Sequence, residues 1–247
     1  MSHDLRADTI TIPGDGGDPI EAYFAQPTDV AAAGAVVVIH HLPGYDAGTK
    51  EIARRFADHG YLAIIPNLYS RDAPGASPDD AAAAVRAKGG VPDERLVGDV
   101  GAAAAFLRSQ AAANGKVGVI GYCSGGRQSV LSACSLDLDA CVDCYGAYVV
   151  GTAPEAFPIR VTSLAPLLAN LSCPLLGLFG GDDQYPSPEQ VEELRGLLTA
   201  HAKEFEFHSY DGAGHAFFSV DRPAYRPEAA TDAWDKIWEF LGRHLSA

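Results

Sequence analysis

One short stretch of the sequence has the residue types of a nucleophile elbow. Residues 121–126 read Gly-Tyr-Cys-Ser-Gly-Gly, after an apolar run at 116–120 and before a stretch with helical spacing. The pattern Gly-x-nucleophile-x-Gly puts a reactive side chain on a sharp strand-to-helix turn, where its neighbours need minimal side chains. The N-terminus of the following helix favours a thiolate and a developing oxyanion. Cys123 is therefore a candidate nucleophile, and the alternative is a structural turn that holds a buried cysteine.

Two further groups follow Cys123 in the order that a catalytic triad requires. Gly180-Gly181-Asp182-Asp183 follows the apolar run 175–179, and His215 lies in the glycine-containing segment 212–217 after the alternating run 204–210. The chain order nucleophile, acid, histidine defines the α/β-hydrolase arrangement. Both groups follow predicted strands, where open α/β sheets place their sites. The residues predict a triad of Cys123, His215 and either Asp182 or Asp183.

The elements that must position these residues alternate between strands and helices. An antiparallel hairpin is predicted at residues 9–12 and 20–25, on either side of an Asp-Gly-Gly turn. Further strands are predicted at 36–39, 61–65, 116–120, 140–145, 175–179 and 204–210, with helices at 49–59, 79–88, 93–110, 126–133, 188–201 and 227–245. This alternation predicts a mostly parallel central sheet with helices on both faces. No composition shift marks a boundary in the 247 residues, so we expect a single domain, 1–247.

Charge and composition exclude several functions. The formal net charge of −14 opposes binding to nucleic acid and to an anionic membrane face. No apolar run approaches the length of a membrane span, and the polar N-terminus does not resemble a signal peptide. Five cysteines in a chain of this length favour a reducing cytoplasm over a disulfide framework.

Taken together, the motifs resemble those of the dienelactone hydrolase family of α/β-hydrolases. The resemblance covers nearly the whole chain and rests on the Cys123 elbow and on the segments 66–71, 180–186 and 212–217. It implies an α/β-hydrolase fold and a cysteine nucleophile that cleaves small carboxylic esters or lactones, including anionic ones. It implies no cofactor and no metal. The family does not fix the oligomeric state, and a monomer or a homodimer fits.

The resemblance also implies roles for residues around the triad. The family pattern Gly-x-x-Asp falls on Asp183, which makes Asp182 a solvated neighbour. The family's layout assigns the oxyanion hole to the backbone N–H groups of Leu42 and Ser124. Arg71 matches a position that binds the substrate carboxylate, a task that suits the planar guanidinium.

Two positions depart from the family pattern. His41 stands where the family has a glutamate that contacts the substrate and controls the thiol, and Ser219 stands where it has a second carboxylate-binding arginine. We expect His41 to line the pocket as a hydrogen-bonding group. A metal site at His40 and His41 is discounted, because adjacent strand residues point to opposite faces. The departures favour a second enzyme class, a general esterase or thioesterase that does not act on dienelactone.

The remaining predictions concern the surroundings of the site. Tyr122 and Phe217 adjoin catalytic residues and are expected to line the substrate pocket, whose shape depends on loops 42–50, 71–80 and 150–170. Cys141 and Cys144 lie on one predicted strand with side chains on opposite faces, so this Cys-x-x-Cys pair is expected to be structural. A different class of function is a non-catalytic binding or redox-sensing protein on the same scaffold, which would show thiol reactivity without turnover.

Overall fold

The computed structural model describes residues 4–31 and 33–246, and within these residues eight strands form one mixed sheet. The strands are β1 (Leu5–Pro13), β2 (Pro19–Pro27), β3 (Ala33–Ile39), β4 (Leu62–Pro66), β5 (Ala113–Tyr122), β6 (Ala140–Cys144), β7 (Leu175–Gly180) and β8 (Phe205–Tyr210). Their order across the sheet is β1-β2-β4-β3-β5-β6-β7-β8. The first two strands form the predicted antiparallel hairpin, β2 pairs antiparallel with β4, and the other pairs are parallel.

Six α-helices in the described residues cover the two faces of the sheet. They are α1 (Ala47–Asp58), α2 (Pro78–Ala87), α3 (Asp93–Arg108), α4 (Ser124–Ser135), α5 (Pro188–Ala200) and α6 (Pro227–Leu245). One buried cluster joins one face of the sheet to α2, α3, α4 and α5, and a second joins the other face to α1 and α6. Every residue of β3 is buried, as expected of a central parallel strand covered on both faces. The predicted mostly parallel α/β architecture is confirmed.

The face on which a side chain lies follows the alternation of the strands. Cys141 belongs to the cluster beneath α2 to α5, and Cys144 belongs to the cluster beneath α1 and α6. The two thiols therefore point to opposite faces, as their spacing predicts, and neither forms a disulfide. In the described residues no helix is long and apolar enough to cross a membrane.

Element ends differ from the sequence prediction most clearly around the elbow. Strand β5 runs to Tyr122 and α4 already begins at Ser124, two residues before the predicted start. The glycines at 125 and 126 are part of the first helical turn, although glycine is a weak helix former. A side chain at Gly125 would overlap the backbone at Ile39, so close packing of α4 against β3 fixes this residue type.

Candidate active site

Cys123 occupies a strained turn between β5 and α4. Its φ of 58° and ψ of −120° lie in a region that L-residues rarely adopt. Its backbone N–H donates to the Cys144 carbonyl at 3.0 Å, and its carbonyl accepts from Gly126. A Cβ at Gly121 would collide with the Gly125 backbone, so the turn closes only with glycine there. This backbone strain is of the kind found at functional sites.

His215 lies between Cys123 and an aspartate. Its Nδ1 is 2.9 Å from Oδ2 of Asp183, and its ring is within hydrogen-bonding reach of the Cys123 thiol. The Asp183 side chain is buried, and its other oxygen accepts from the Tyr185 N–H at 2.9 Å. Asp182 is exposed, and among the described hydrogen bonds it is Asp183, not Asp182, that is bonded to His215. The carboxylate that orients His215 is therefore that of Asp183.

The electrostatics of this cluster favour charge separation between sulfur and imidazole. Burial lowers the pKa of His215, but hydrogen bonds to Asp183 and Cys123 outweigh burial and raise that pKa to about 10. Burial raises the pKa of Cys123, but the hydrogen bond to His215 and the histidine's charge outweigh it, so the thiol pKa lies below its usual value. A thiolate beside an imidazolium is a prepared nucleophile.

Two backbone N–H groups converge on the same sulfur. The amides of Leu42, after β3, and Ser124, the first residue of α4, both lie within hydrogen-bonding reach of the Cys123 thiol and lower its pKa. Donors placed beside a nucleophile from two different loops are the arrangement of an oxyanion hole.

A cavity of about 410 Å³ opens at Cys123 and His215, and we call it the Cys123 cavity. Most of its wall is apolar and consists of Leu42, Ala147, Phe157, Pro158, Ile159 and Val161. Among the described residues that line it, Arg127 is the one arginine or lysine. Its guanidinium is buried and bidentate on Asp93, at 2.9 and 3.0 Å. The cavity therefore suits an uncharged, apolar group next to the thiol.

Comparison with known proteins places the chain in a family. The profile of the Dienelactone hydrolase family matches residues 20–245. The chain belongs to the dienelactone hydrolase family. The "Putative carboxymethylenebutenolidase" of Methylorubrum extorquens is 31% identical over 243 residues, which cover 97% of this chain and 82% of that protein.

Other relatives agree with this dienelactone hydrolase assignment. The "Probable 2-oxo-3-(5-oxofuran-2-ylidene)propanoate lactonase" of a Bradyrhizobium species is 30% identical over 237 residues, covering 94% of this chain and 92% of that protein. The crystal structure of a "Putative Dienelactone Hydrolase" from Klebsiella pneumoniae superimposes with a TM-score of 0.85 at 28% identity, covering 98% and 100% of the two chains. The chain is thus a hydrolase similar to carboxymethylenebutenolidases.

His41 does not line the Cys123 cavity. It lies in a second cavity of about 310 Å³, the His41 cavity, on the α1 and α6 side of the strand ends. Its Nε2 is 2.7 Å from Oδ2 of Asp46, the residue that caps α1 by accepting from the Thr49 N–H at 2.7 Å. The expectation that His41 lines the substrate pocket is therefore not met at the Cys123 cavity. Its neighbour His40 is fully buried against Tyr69.

Arg71 is also outside the Cys123 cavity. Its Nη2 donates to both oxygens of Asp99 at 2.8 Å, and Asp99 is fully buried and also accepts from the Asp15 N–H. The guanidinium thereby neutralises a carboxylate beneath the β1–β2 turn. Arg71 is therefore paired within the protein and lies away from Cys123, and its binding of a substrate carboxylate stays a prediction.

Two aromatic residues predicted to line the substrate pocket face other surroundings. Phe217 is fully buried in the cluster beneath α1 and α6, in contact with Tyr145 and Phe218. Tyr122 lies in the same cluster and lines the His41 cavity, because successive residues at a strand end point to opposite sides. Ser219, which replaces the family arginine, lines that cavity too.

Most residues in the wall of the Cys123 cavity are not predicted individually from the sequence. They belong mainly to residues 151–163, which we call the strap, with Gln184 and Tyr185 after Asp183 and with Arg127 and Gln128 one turn into α4. The strap lies within loop 150–170, which the sequence predicts to shape the pocket, but no sequence motif marks its lining residues individually. For Arg127 a signal existed: a residue four positions after the nucleophile lies on the same face of the helix. Loop 71–80 lines a different groove, near Tyr69.

No group of three His, Cys, Asp or Glu side chains that could hold a metal ion occurs within residues 4–31 and 33–246.

Proposed function

We propose that the protein is a cysteine hydrolase of carboxylic esters or lactones that works through a Cys123–His215–Asp183 triad and a thioester acyl-enzyme. One observation carries the proposal. The Cys123 thiol sits on a strained elbow within reach of His215, whose Nδ1 is held by Asp183 at 2.9 Å. Nucleophile, base and orienting acid in this order are the parts that acyl transfer needs.

In the first step the thiolate of Cys123 attacks the carbonyl carbon. His215 already holds the thiol proton, because its pKa is raised and that of Cys123 is lowered. The carbon–sulfur bond forms, and the carbonyl oxygen becomes an oxyanion that accepts hydrogen bonds from the N–H groups of Leu42 and Ser124. The carbon–oxygen bond then breaks, and the leaving alkoxide takes the proton from His215.

In the second step water cleaves the thioester. Neutral His215 takes a proton from the water, whose oxygen attacks the acyl carbon, and the carbon–sulfur bond breaks to return the thiolate. Asp183 keeps Nδ1 protonated and stabilises the imidazolium in both steps. The tetrahedral intermediate can expel either the thiolate or the substrate's leaving group, and a thiolate leaves readily. Acylation therefore proceeds best with activated esters and enol lactones, whose leaving groups are good, and these are the substrates to expect.

The wall of the Cys123 cavity supports a second candidate, a general esterase or thioesterase that does not act on dienelactone. Within the described residues, the arginine of this wall is neutralised by Asp93, and Arg71 is paired with Asp99. A carboxylate-bearing lactone would then enter the cavity without a free guanidinium to bind it, at the desolvation cost of an unpaired charge. We propose an uncharged ester or lactone as the partner, in a reducing cytoplasm that keeps the thiol free.

The deciding experiment is steady-state hydrolysis of a dienelactone and of p-nitrophenyl acetate by the wild type, Cys123→Ala and Cys123→Ser. We expect turnover that is lost in Cys123→Ala, and an acyl adduct on the Cys123 peptide by mass spectrometry after rapid acid quench. Thermal unfolding serves as the control that the variants fold.

Fast Cys123-dependent turnover of the dienelactone supports the first candidate, and turnover of the simple ester alone supports the second. Equal turnover by Cys123→Ala would contradict both, and thiol alkylation without any turnover would point to the non-catalytic alternative.

A further inference from the structure

The strap separates two cavities and forms the wall between them. On one side lies the Cys123 cavity of about 410 Å³, and on the other an outer cavity of about 550 Å³ between residues 88–93 and the strap. Phe157, Ile159 and Val161 line both cavities. The wall between them is therefore one side chain thick.

The three shared side chains stand at alternate positions of the chain and are only half-buried. Because the partition consists of side chains, a change in their rotamers is the movement that would join the two cavities.

The backbone of the strap is fixed at several points, in contrast to these side chains. The Arg127 Nη2 donates to the Thr162 carbonyl at 2.8 Å, and the Arg160 N–H donates to the Gly89 carbonyl at 2.8 Å. The Leu164 N–H donates to the Val149 carbonyl at the strap's end. Arg127 stands one helical turn after Cys123, so the strap is tied directly to the nucleophile helix.

We infer that the outer cavity is the distal part of the substrate site and that it takes the far end of an extended apolar chain, alkyl or aryl, of an ester held at Cys123. The inference rests on the proposed function. Its support is the apolar partition that the two cavities share and the apolar part of the outer lining. That part consists of Val91, Pro92, Ala153 and Pro154, and the same cavity is also lined by the charged residues Lys88, Asp93, Glu155 and Arg160. Burial of each additional methylene then favours binding.

The strap offers a matched pair of variants that tests this role. Ala153 lines the outer cavity but not the Cys123 cavity, whereas Ala156 is exposed and lines neither. Ala153→Trp fills the outer cavity, and Ala156→Trp adds the same bulk to the same strap outside it. Ile159→Ala thins the partition.

The measurement is kcat/KM for p-nitrophenyl acetate and p-nitrophenyl decanoate, the latter below its micellar concentration. We expect the wild type to prefer decanoate, and Ala153→Trp to lower kcat/KM for decanoate on the order of tenfold while acetate changes less than about twofold. Ala156→Trp should leave both unchanged, and Ile159→Ala should raise the decanoate-to-acetate ratio. No preference for decanoate in the wild type, or equal effects of the two tryptophans, would overturn the inference.

A second readout separates this inference from the proposed function. Alkylation of Cys123 by iodoacetamide and by N-decyl iodoacetamide needs an accessible thiol but no turnover, and the other four cysteines are buried. If the outer cavity receives the chain, the decyl reagent reacts faster with the wild type, and Ala153→Trp, but not Ala156→Trp, abolishes the difference. A faster reaction of the decyl reagent without any ester hydrolysis would contradict the proposed function but support the outer cavity as a site for the chain. Ester hydrolysis with no effect of chain length in either assay would support the proposed function and contradict this inference.

Discussion

The Cys123 cavity and the His41 cavity flank the same strand ends but differ in what surrounds them. The first lies against α4 and the strap, with an apolar wall and with Cys123, His215 and Asp183 at its base. The second lies against α1 and α6, and its lining is mixed and more polar than that of the first, with the His41–Asp46 pair and Tyr122 among its residues. The hydroxyl of Tyr122 is buried and has no hydrogen-bond partner within residues 4–31 and 33–246.

The difference shows that a nearby polar group need not face the reaction. His41 directly precedes Leu42, whose N–H is within hydrogen-bonding reach of the Cys123 thiol. The imidazole of His41 points elsewhere and is hydrogen-bonded to Asp46, the N-cap residue of α1. Tyr145 stands between the two cavities, with its ring centroid 5.1 Å from that of His215 while it lines the His41 cavity. Catalysis is therefore expected in the Cys123 cavity. Substitutions there should lower activity, whereas substitutions in the His41 cavity should mainly change stability.

The largest expected effect is at the acid of the Cys123 side. Asp183→Asn removes the charge that orients and stabilises His215 and should lower kcat by about 10³–10⁴-fold. Asp182→Asn is the matched control one residue away, because Asp182 is exposed and not bonded to the histidine. Steady-state kinetics of both variants on one ester make the test. A large loss in Asp182→Asn with activity kept in Asp183→Asn would exchange the two roles.

Next in size is the effect of Arg71, which belongs to neither cavity. Arg71→Met leaves the Asp99 carboxylate buried without its partner and should lower the free energy of unfolding by about 3–5 kcal/mol. At a temperature where the variant is folded, KM should stay close to that of the wild type.

Urea unfolding measures the loss in Arg71→Met. The control is Arg6→Met, which breaks an exposed ion pair with Asp8 and should cost no more than about 1 kcal/mol. Stability equal to the wild type, together with a higher KM for anionic esters only, would return Arg71 to substrate binding.

Arg71 is a residue whose side-chain direction could not be predicted from the sequence. The strand–turn–helix at Cys123 and the loop residues Asp183 and His215 carry local signals, because glycines and strand ends fix their backbone positions. The direction of the Arg71 side chain is set by a buried carboxylate 28 positions away in sequence, which no local pattern encodes. The family pattern predicts a substrate-binding role for Arg71, whereas its guanidinium is paired with the buried Asp99 carboxylate.

The same reasoning separates the fold from the cavity wall. The alternation of strands with helices predicted the parallel sheet. The period of two within a strand predicted the hairpin and the opposite faces of Cys141 and Cys144. The path of the strap is fixed by a few hydrogen bonds that involve Arg127 and Gly89, and no local sequence pattern encodes these bonds. Tyr122 was predicted only in part. It adjoins Cys123 in the chain, but alternation along the strand turns its side chain towards the His41 cavity.

A smaller effect is expected in the pH dependence of the thiol. The Cys123 pKa is lowered chiefly by His215 against the effect of burial, and the His215 pKa is raised by Asp183. In Asp183→Asn the imidazolium is less stable, so the thiol pKa rises and the thiolate fraction at pH 6 falls. The rate of alkylation by iodoacetamide at pH 6 should drop about tenfold for each unit by which the pKa rises.

The alkylation profile from pH 5 to 10 reports on one site. Burial raises the pKa of Cys134 to about 11 and of Cys173 to about 12, and it raises the pKa values of Cys141 and Cys144 as well. Identical profiles for the wild type and Asp183→Asn would show that His215 does not stabilise the thiolate. The contrast between the Cys123 cavity and the His41 cavity would then have no electrostatic cause at Cys123.

The smallest effect on catalysis is expected at His41. His41→Phe removes the hydrogen bond to Asp46 but leaves the Leu42 N–H and the triad in place, so kcat/KM should change less than about threefold. Stability should respond instead. Burial raises the pKa of Asp46, but hydrogen bonds from His41 and Thr49 outweigh it and bring that pKa below its usual value.

The sign of the pH effect identifies this contribution. A depressed carboxylate pKa stabilises the fold above the unfolded-state value of about 3.9, and this stability is lost as the pH falls through the folded pKa. The difference in unfolding free energy between wild type and His41→Phe should therefore be present at pH 6 and shrink in strong acid, and His41→Gln, which keeps a donor, should retain part of it. A tenfold fall in kcat/KM that both variants share for anionic esters but not for p-nitrophenyl acetate would instead make His41 a substrate contact, and the two cavities would then act as one site.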